Sequence, residues 1–309
     1  MRFVKTIMFL LVAISLQHAS AQAKHFKGKP IEFGITLGAS NYMGDLSKVV
    51  AWQETKPMGG LICRFNYSDF ITLRGTAAYG IISGHDSNYS DDPFRARRNL
   101  SFRSPVIEFS GTIEYNILGF GETQRGTPSS PYLFAGLGVF KYNPRALFTY
   151  NSSPDLVNDP TGATPVHHAD LAVFDGQWIE LQPLGTEGQE TTKFNDRKRY
   201  ALTQVCIPFG VGYKKQWDDF WAWGIEFGLR KTFTDYLDDV SRDYVDEQIV
   251  EGNNGRLANA MRDRSAEKGY LKFDPGMSRG TSTAKDWYMF FNFTLTRKIV
   301  GGKQVCFSF

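Results

Sequence analysis

The clearest regularity in the chain is an alternation of period two. Between positions 221 and 234, Trp221, Trp223, Ile225, Phe227, Leu229 and Phe233 share one parity, and Ala222, Gly224, Glu226, Gly228, Arg230, Thr232 and Thr234 share the other. Successive side chains of a β-strand point to opposite faces, so this segment reads as a strand with one apolar face and one small or charged face. The pattern recurs along the chain. Over 32–39, Phe33, Ile35, Leu37 and Ala39 oppose Gly34, Thr36 and Gly38; over 60–67, Leu61, Cys63, Phe65 and Tyr67 oppose Arg64 and Asn66. Over 70–81, Ile71, Leu73, Ala77, Tyr79 and Ile81 face away from Thr72, Arg74 and Thr76; over 106–117, Ile107, Phe109, Ile113 and Tyr115 face away from Glu108, Ser110, Thr112 and Glu114. Segments 203–214 and 287–298 repeat it with Val205 to Tyr213 and with Trp287 to Leu295. Segment 132–142 is weaker, because Leu133, Ala135, Leu137 and Val139 alternate with Phe134, Gly136, Gly138 and Phe140, and parity alone does not choose its outer face.

Eight strands of this length match the smallest closed antiparallel transmembrane β-barrel, with apolar side chains toward lipid and polar ones toward the lumen. The connections separate into two classes. Those at 68–69, 118–131 and 215–220 are short, whereas those at 40–59, 82–105, 143–202 and 235–286 are long. Short turns at one end and long loops at the other is the asymmetry of outer-membrane barrels, and it places both chain ends in the periplasm. The loop 143–202 is rich in Gly, Pro, Asn, Asp and Thr and reads as irregular. In the last loop, Leu257, Ala258, Met261 and Ala266 form one side of a short helix between Asn254 and Gly269, expected to lie over the barrel mouth.

The first residues add a secretory leader: basic Arg2 and Lys5, an apolar run over 7–16, and Ala19-Ser20-Ala21 as the cleavage signal. The expected organisation is therefore a signal peptide over 1–21 and an outer-membrane barrel over 22–309. There are 35 basic and 32 acidic residues, and this near balance argues against a nucleic-acid partner. A negative mean hydropathy fits a barrel, whose lipid face uses only alternate strand residues. Cys63, Cys206 and Cys306 are too few and too scattered for a disulfide framework or a zinc site.

Inward-facing charges would be Arg64, Arg74, Glu108, Glu114, Glu226 and Arg230, and in a lumen this narrow they are expected to pair with one another. A narrow polar pore or a buried acid pair for catalysis is the functional alternative. His167, His168 and Asp170, or Asp235, Asp238, Asp239, Asp243 and Asp246, could ligate a metal, but neither set has the spacing of a calcium or zinc loop, and a solvated polar loop is the better reading. No nucleophile elbow, phosphate-binding loop or HExxH motif occurs, so no catalytic, cofactor or metal site and no small-molecule substrate is expected. Aromatic residues at strand ends, Tyr67, Phe70, Tyr142, Trp217, Trp221, Trp287 and Tyr288, read as girdles at the membrane interfaces.

Four strings carry a family resemblance: NYMGDLS at 41–47, PYLFAGLGVFKYNPRA at 131–146, GLRKTFTDYLDDVS at 228–241 and KDWYMFFNFTLTRK at 285–298. Together they resemble the PorG outer-membrane barrel of the type IX secretion system, although the terminal Cys-Phe-Ser-Phe departs from that family's Cys-Pro-Lys-Phe ending. The resemblance implies a non-enzymatic structural component that associates with the periplasmic ring of PorK-type lipoprotein and PorN and is not itself the translocation pore. The alternative is a small surface barrel whose long loops bind a ligand or an adhesion partner.

Overall fold

Each of the eight alternating segments forms a strand in the computed structural model, which describes residues 31–89, 91–121, 126–150 and 169–299. The leader over 1–21, Cys306, His167 and His168 lie outside the described residues. The barrel strands are β1 (Ile31–Met43), β2 (Lys56–Asn66), β3 (Ile71–His85), β4 (Ser101–Asn116), β5 (Ser129–Tyr142), β8 (Thr203–Gln216), β9 (Trp221–Thr232) and β10 (Trp287–Ile299). Two short strands that alternation did not announce, β6 (Arg145–Leu147) and β7 (Trp178–Glu180), extend the wall above β4 and β5. All pairings are antiparallel, and the β1–β10 pairing closes the sheet on itself. The connections fall into the two expected classes, with 67–70, 117–128 and 217–220 at one end and the four long loops at the other.

The register fixes the geometry of the closed wall. Asn41 lies opposite Met289, which lies opposite Leu229, then Phe209, Ala135, Ile113, Leu73 and Phe65, and Phe65 lies opposite Ile31 on the starting strand. One circuit therefore returns ten residues from its origin. A stagger of ten over eight strands tilts them by roughly 40° and leaves a lumen just wide enough for side chains. On β5, whose outer face parity left open, Leu133, Leu137 and Val139 face out, while Phe134 and Phe140 are buried inside. Gly136, on the inward parity, lies so close to β4 that a Cβ there would collide with the Gly111 carbonyl.

The lumen is filled by buried ionic groups in separate hydrogen-bonded sets. Glu114 accepts from Arg64 Nε at 2.9 Å, Arg74 Nη1 at 3.1 Å and Lys214 Nζ at 2.7 Å. Arg74 also pairs with Glu226, which accepts from the Tyr132 hydroxyl at 3.0 Å. Arg230 Nε reaches Glu108 at 3.1 Å, and the Tyr288 hydroxyl donates to the same oxygen at 2.9 Å. The expected pairing of Arg64, Arg74, Arg230 and the three glutamates is thus present, joined by Lys214 and by Glu32, which accepts from Asn66 and Thr296. Arg74 and Arg230 additionally stack on Phe134 and Phe290 at 4.3 and 4.2 Å, so apolar and ionic contents interleave.

Outside, Phe33, Ile35, Leu37, Leu61, Phe109, Leu137 and Phe293 are exposed and form a belt that only lipid would cover. Two of the residues expected in aromatic girdles are not there: Tyr142 and Tyr288 are fully buried, because their parity turns them into the lumen, where Tyr288 meets Glu108. Trp221, Trp287 and Trp217 do sit outside or on the rim. Cys63 and Cys206 are both free.

Glu114 alone holds three buried cations, and a buried charge without its partner is costly. Glu114→Ala is expected to lower barrel stability by about 3–5 kcal/mol in urea unfolding from lipid vesicles; an unchanged midpoint would remove Glu114 from its central place in the network.

Candidate functional site

The described parts of the four long loops do not splay into solvent but fold together over the barrel mouth. Helix α1 (Pro93–Arg98) begins where the Asp92 carboxylate accepts from the backbone N–H groups of Phe94 and Arg95, and ends at Asn99 in the left-handed region. Helices α2 (Glu247–Asn254) and α3 (Arg256–Arg262) are separated by Gly255 at a φ of 92°. The helix expected in this loop is α3: Ala258 and Met261 are buried on its underside, while Ala266 falls in a separate 3-10 turn. The described parts of the loop expected to be irregular, 143–150 and 169–202, contribute the β6–β7 hairpin and buried Leu171, Leu181 and Tyr200. These residues continue one apolar cluster that starts inside the barrel with Met58, Phe140, Tyr288 and Phe290 and runs up through Leu46, Phe102, Leu237 and Met261. Lumen and cap therefore share a core.

Desolvated ion pairs lock the loops to one another. Arg98 binds Asp86 through Nε at 2.8 Å and Nη2 at 2.6 Å, and its Nη1 donates to the Arg279 carbonyl at 2.7 Å. Arg279 in turn reaches Glu187 at 3.1 Å and the Asp239 carbonyl at 2.5 Å, connecting the third and fourth loops. Asp239, at a φ of 65°, accepts from the Thr186 and Tyr200 hydroxyls at 2.6 and 2.7 Å. Those contacts hold a non-glycine residue in a conformation that costs free energy.

The four strings that carry the resemblance come together at the base of this cap. The Tyr42 hydroxyl, from the first string, donates to Asp238 at 2.6 Å and lies 3.1 Å from Asp286 Oδ1; Asp238 belongs to the third string and Asp286 to the fourth. The Leu46 N–H adds a 3.2 Å bond to Asp238, and the Leu237 N–H a 2.9 Å bond to Asp286. Tyr142, from the second string, stacks on Tyr200, which stacks on Tyr236. Alternation could not reveal this convergence, since it depends on residues 196 and 244 positions apart meeting at the closing seam.

The acidic stretch is accordingly not the solvated loop its composition suggests. Asp235, Asp238 and Asp239 are buried. Asp243 pairs with Arg197, Asp246 caps α2 through the Gln248 N–H, and Asp170 pairs with Arg256. Among the described residues, no group of three or more His, Cys, Asp or Glu is placed to hold a metal ion. Within the stretch, Asp235, Asp238 and Asp239 bind their protons more tightly than ordinary carboxyls. Burial, followed by the neighbouring Asp45, raises the Asp238 carboxyl well above the usual carboxylate range; burial and then Asp238 do the same to Asp286. Burial raises Asp235 to about 7, and Asp239 to about 6 despite Arg279.

A carboxyl whose proton is held more tightly in the folded state contributes stability that is complete below its ordinary pKa and lost as pH rises through the folded value. The cap is therefore expected to loosen as pH rises through about 6 and about 7 and beyond. Hydrogen exchange, corrected for the intrinsic rate, should reveal faster opening of segment 234–241 at about pH 8.5 than at about pH 5.5 while the barrel strands stay protected, and Asp286→Asn should shrink the difference. Equal protection at both pH values in the unaltered protein would contradict it.

No curated protein matches the chain in sequence. Among solved structures, it is similar to Ail, the attachment invasion locus protein of Yersinia pestis, at 8% identity and a TM-score of 0.37, covering 88% of this chain and 100% of Ail. It is similar to Neisserial surface protein A at 9% identity and a TM-score of 0.38, covering 87% of this chain and 97% of that one. The corresponding figures for OprG of Pseudomonas aeruginosa are 8% and 0.38, with 91% and 100% covered. At such scores the fold assignment rests on the strand register above. Residues 4–163, more than half of the chain, match a family described as a domain of unknown function, DUF6089, and the chain belongs to that family.

Proposed function

We propose that this protein is a non-enzymatic outer-membrane barrel that anchors or organises the type IX secretion machinery, with its long loops outside the cell and its chain ends and short turns in the periplasm. The observation that carries the reading is the sealed axis: ionic pairs fill the lumen and the folded cap shares its core. A lumen filled by paired side chains among the described residues suits an attachment point in the membrane better than a conduit. The resemblance of its four strings to PorG-like barrels supplies the machine, and its partners would be the PorK and PorN ring proteins. The short turn at 217–220 offers contact groups on that side, since Trp217, Asp218, Asp219 and Phe220 are all exposed.

A photo-crosslinker at Trp217 is expected to capture a ring subunit in intact cells, and deletion of the gene to abolish export of several surface proteins. Normal export in the deletion strain, with only lipid and unrelated porins captured, would sink the secretion role. If a crosslinker at the exposed Trp52 of the first long loop captured an external partner instead, the surface-binding alternative would take its place.

A further inference from the structure

Charge on the barrel wall is sorted by face. Among the described residues of the eight barrel strands, Glu32, Glu108, Glu114 and Glu226 all point inward and are buried. On the outward face the charged side chains are Arg103, Lys141, Lys215, Lys231 and Arg297, all cations and all exposed. Their heights follow from the register. Lys231 faces Trp287 at one end of the β9–β10 pair, and Trp221 faces Arg297 at the other, each cation lying over its partner's ring at 5.9 and 5.7 Å. Ten residues of tilted strand separate these couples, or roughly 25 Å along the axis, the height of the apolar band of such barrels.

The two rims differ. At the short-turn end, Lys215 and Arg297 share the surface with the exposed acids Asp218 and Asp219. At the long-loop end, Lys231, Lys141 and Arg103 run across β9, β8, β5 and β4 with no outward acid on those strands. Lys141 is opposite Thr203, four residues beyond Ile207, the partner of Lys231; Arg103 is four residues beyond Ile107, the partner of Lys141. The stagger of the wall offsets part of each step, so Lys141 stands only about 4 Å above Lys231 and Arg103 about 7 Å higher again. Arg103 stacks on the half-exposed Trp178 at 5.7 Å, and Leu147, the cross-strand partner of Trp178, is exposed beside it.

We propose that this outward face is a binding surface for a phosphate-bearing glycolipid of the surrounding leaflet. Lys231 and Lys141 meet a phosphate at the edge of the hydrocarbon, and Arg103 meets a second one deeper in the headgroup, with Trp178 and Leu147 against the sugar between. Continuity with the lipid belt places the surface in the headgroup zone. Exposed Glu180, on the same face as Trp178, is neutralised by Arg145 at 2.6 Å, so Arg103 adds a net positive charge above Lys141 and Lys231. Positive charge at two levels selects an anionic group of more than one tier over a simple zwitterionic phospholipid.

The test uses the full barrel in phosphatidylcholine nanodiscs containing a small fraction of lipid A, with phosphatidylglycerol as a second, single-tier anionic probe, and reads retained lipid by native mass spectrometry. The unaltered protein should retain lipid A over phosphatidylglycerol, and 0.5 M salt should release it. The R103Q/K141Q/K231Q variant should lose retention by about fivefold per cation removed, whereas K215Q/R297Q should match the unaltered protein. Retention by the triple variant at the original level, equal loss from the short-turn pair, or equal retention of phosphatidylglycerol would each overturn the proposal. Salt-insensitive retention by the unaltered protein would do so even if the triple variant failed to fold.

Discussion

Everything in this protein is subordinate to the width of its lumen. A stagger of ten over eight strands leaves space for side chains and nothing else. Charges placed there lose their water, so each must find a partner across the barrel, and Glu114 does this for cations on three separate strands. The same narrowness explains why aromatic rings stack on guanidinium groups. It also gives the cap a solid floor.

That floor turns loops into structure. Long segments over an open pore would need their own core, whereas here Leu46, Phe102, Leu237 and Met261 pack directly onto rings rising from the wall. Once the apolar contact excludes water, the polar groups at its edge have to satisfy one another, which is why Arg98, Asp86, Arg279, Glu187 and Asp239 form a chain of bonds between loops. Asp238 and Asp286 meet the same demand by binding a proton more tightly than usual and bracketing the hydroxyl of Tyr42.

The wall was legible in the sequence because membrane and lumen impose opposite demands on alternate residues. β9 and β4 state this openly with Glu226 and Glu108 against Phe227 and Phe109, and their inward charges pair as required. Legibility failed wherever both faces are apolar or small. On β5, Phe134 and Leu133 look alike in sequence, and only the folded wall tells them apart, with Leu133 exposed and Phe134 buried beneath the Arg74 guanidinium. Tyr142 and Tyr288 read as girdle residues for the same reason: a tyrosine suits a membrane interface and a polar lumen equally well. The cap was illegible in a different way. An acidic run resembles a hydrated loop, and nothing local to Asp238 announces that a residue nearly two hundred positions earlier will bury it.

The hydroxyl of Tyr42 sits where the first strand meets the last, beside Asp286 immediately before β10. It acts as a clasp at the seam, and this has a kinetic consequence. Strands β1 and β10 are the most distant pair along the chain, so their docking closes the longest loop and comes late. Because the cap's central bonds run through the same residues, the lid has no foundation until that docking occurs. Closure of the wall and completion of the lid are then one cooperative event, and a chain arrested before its final strand would be left without either.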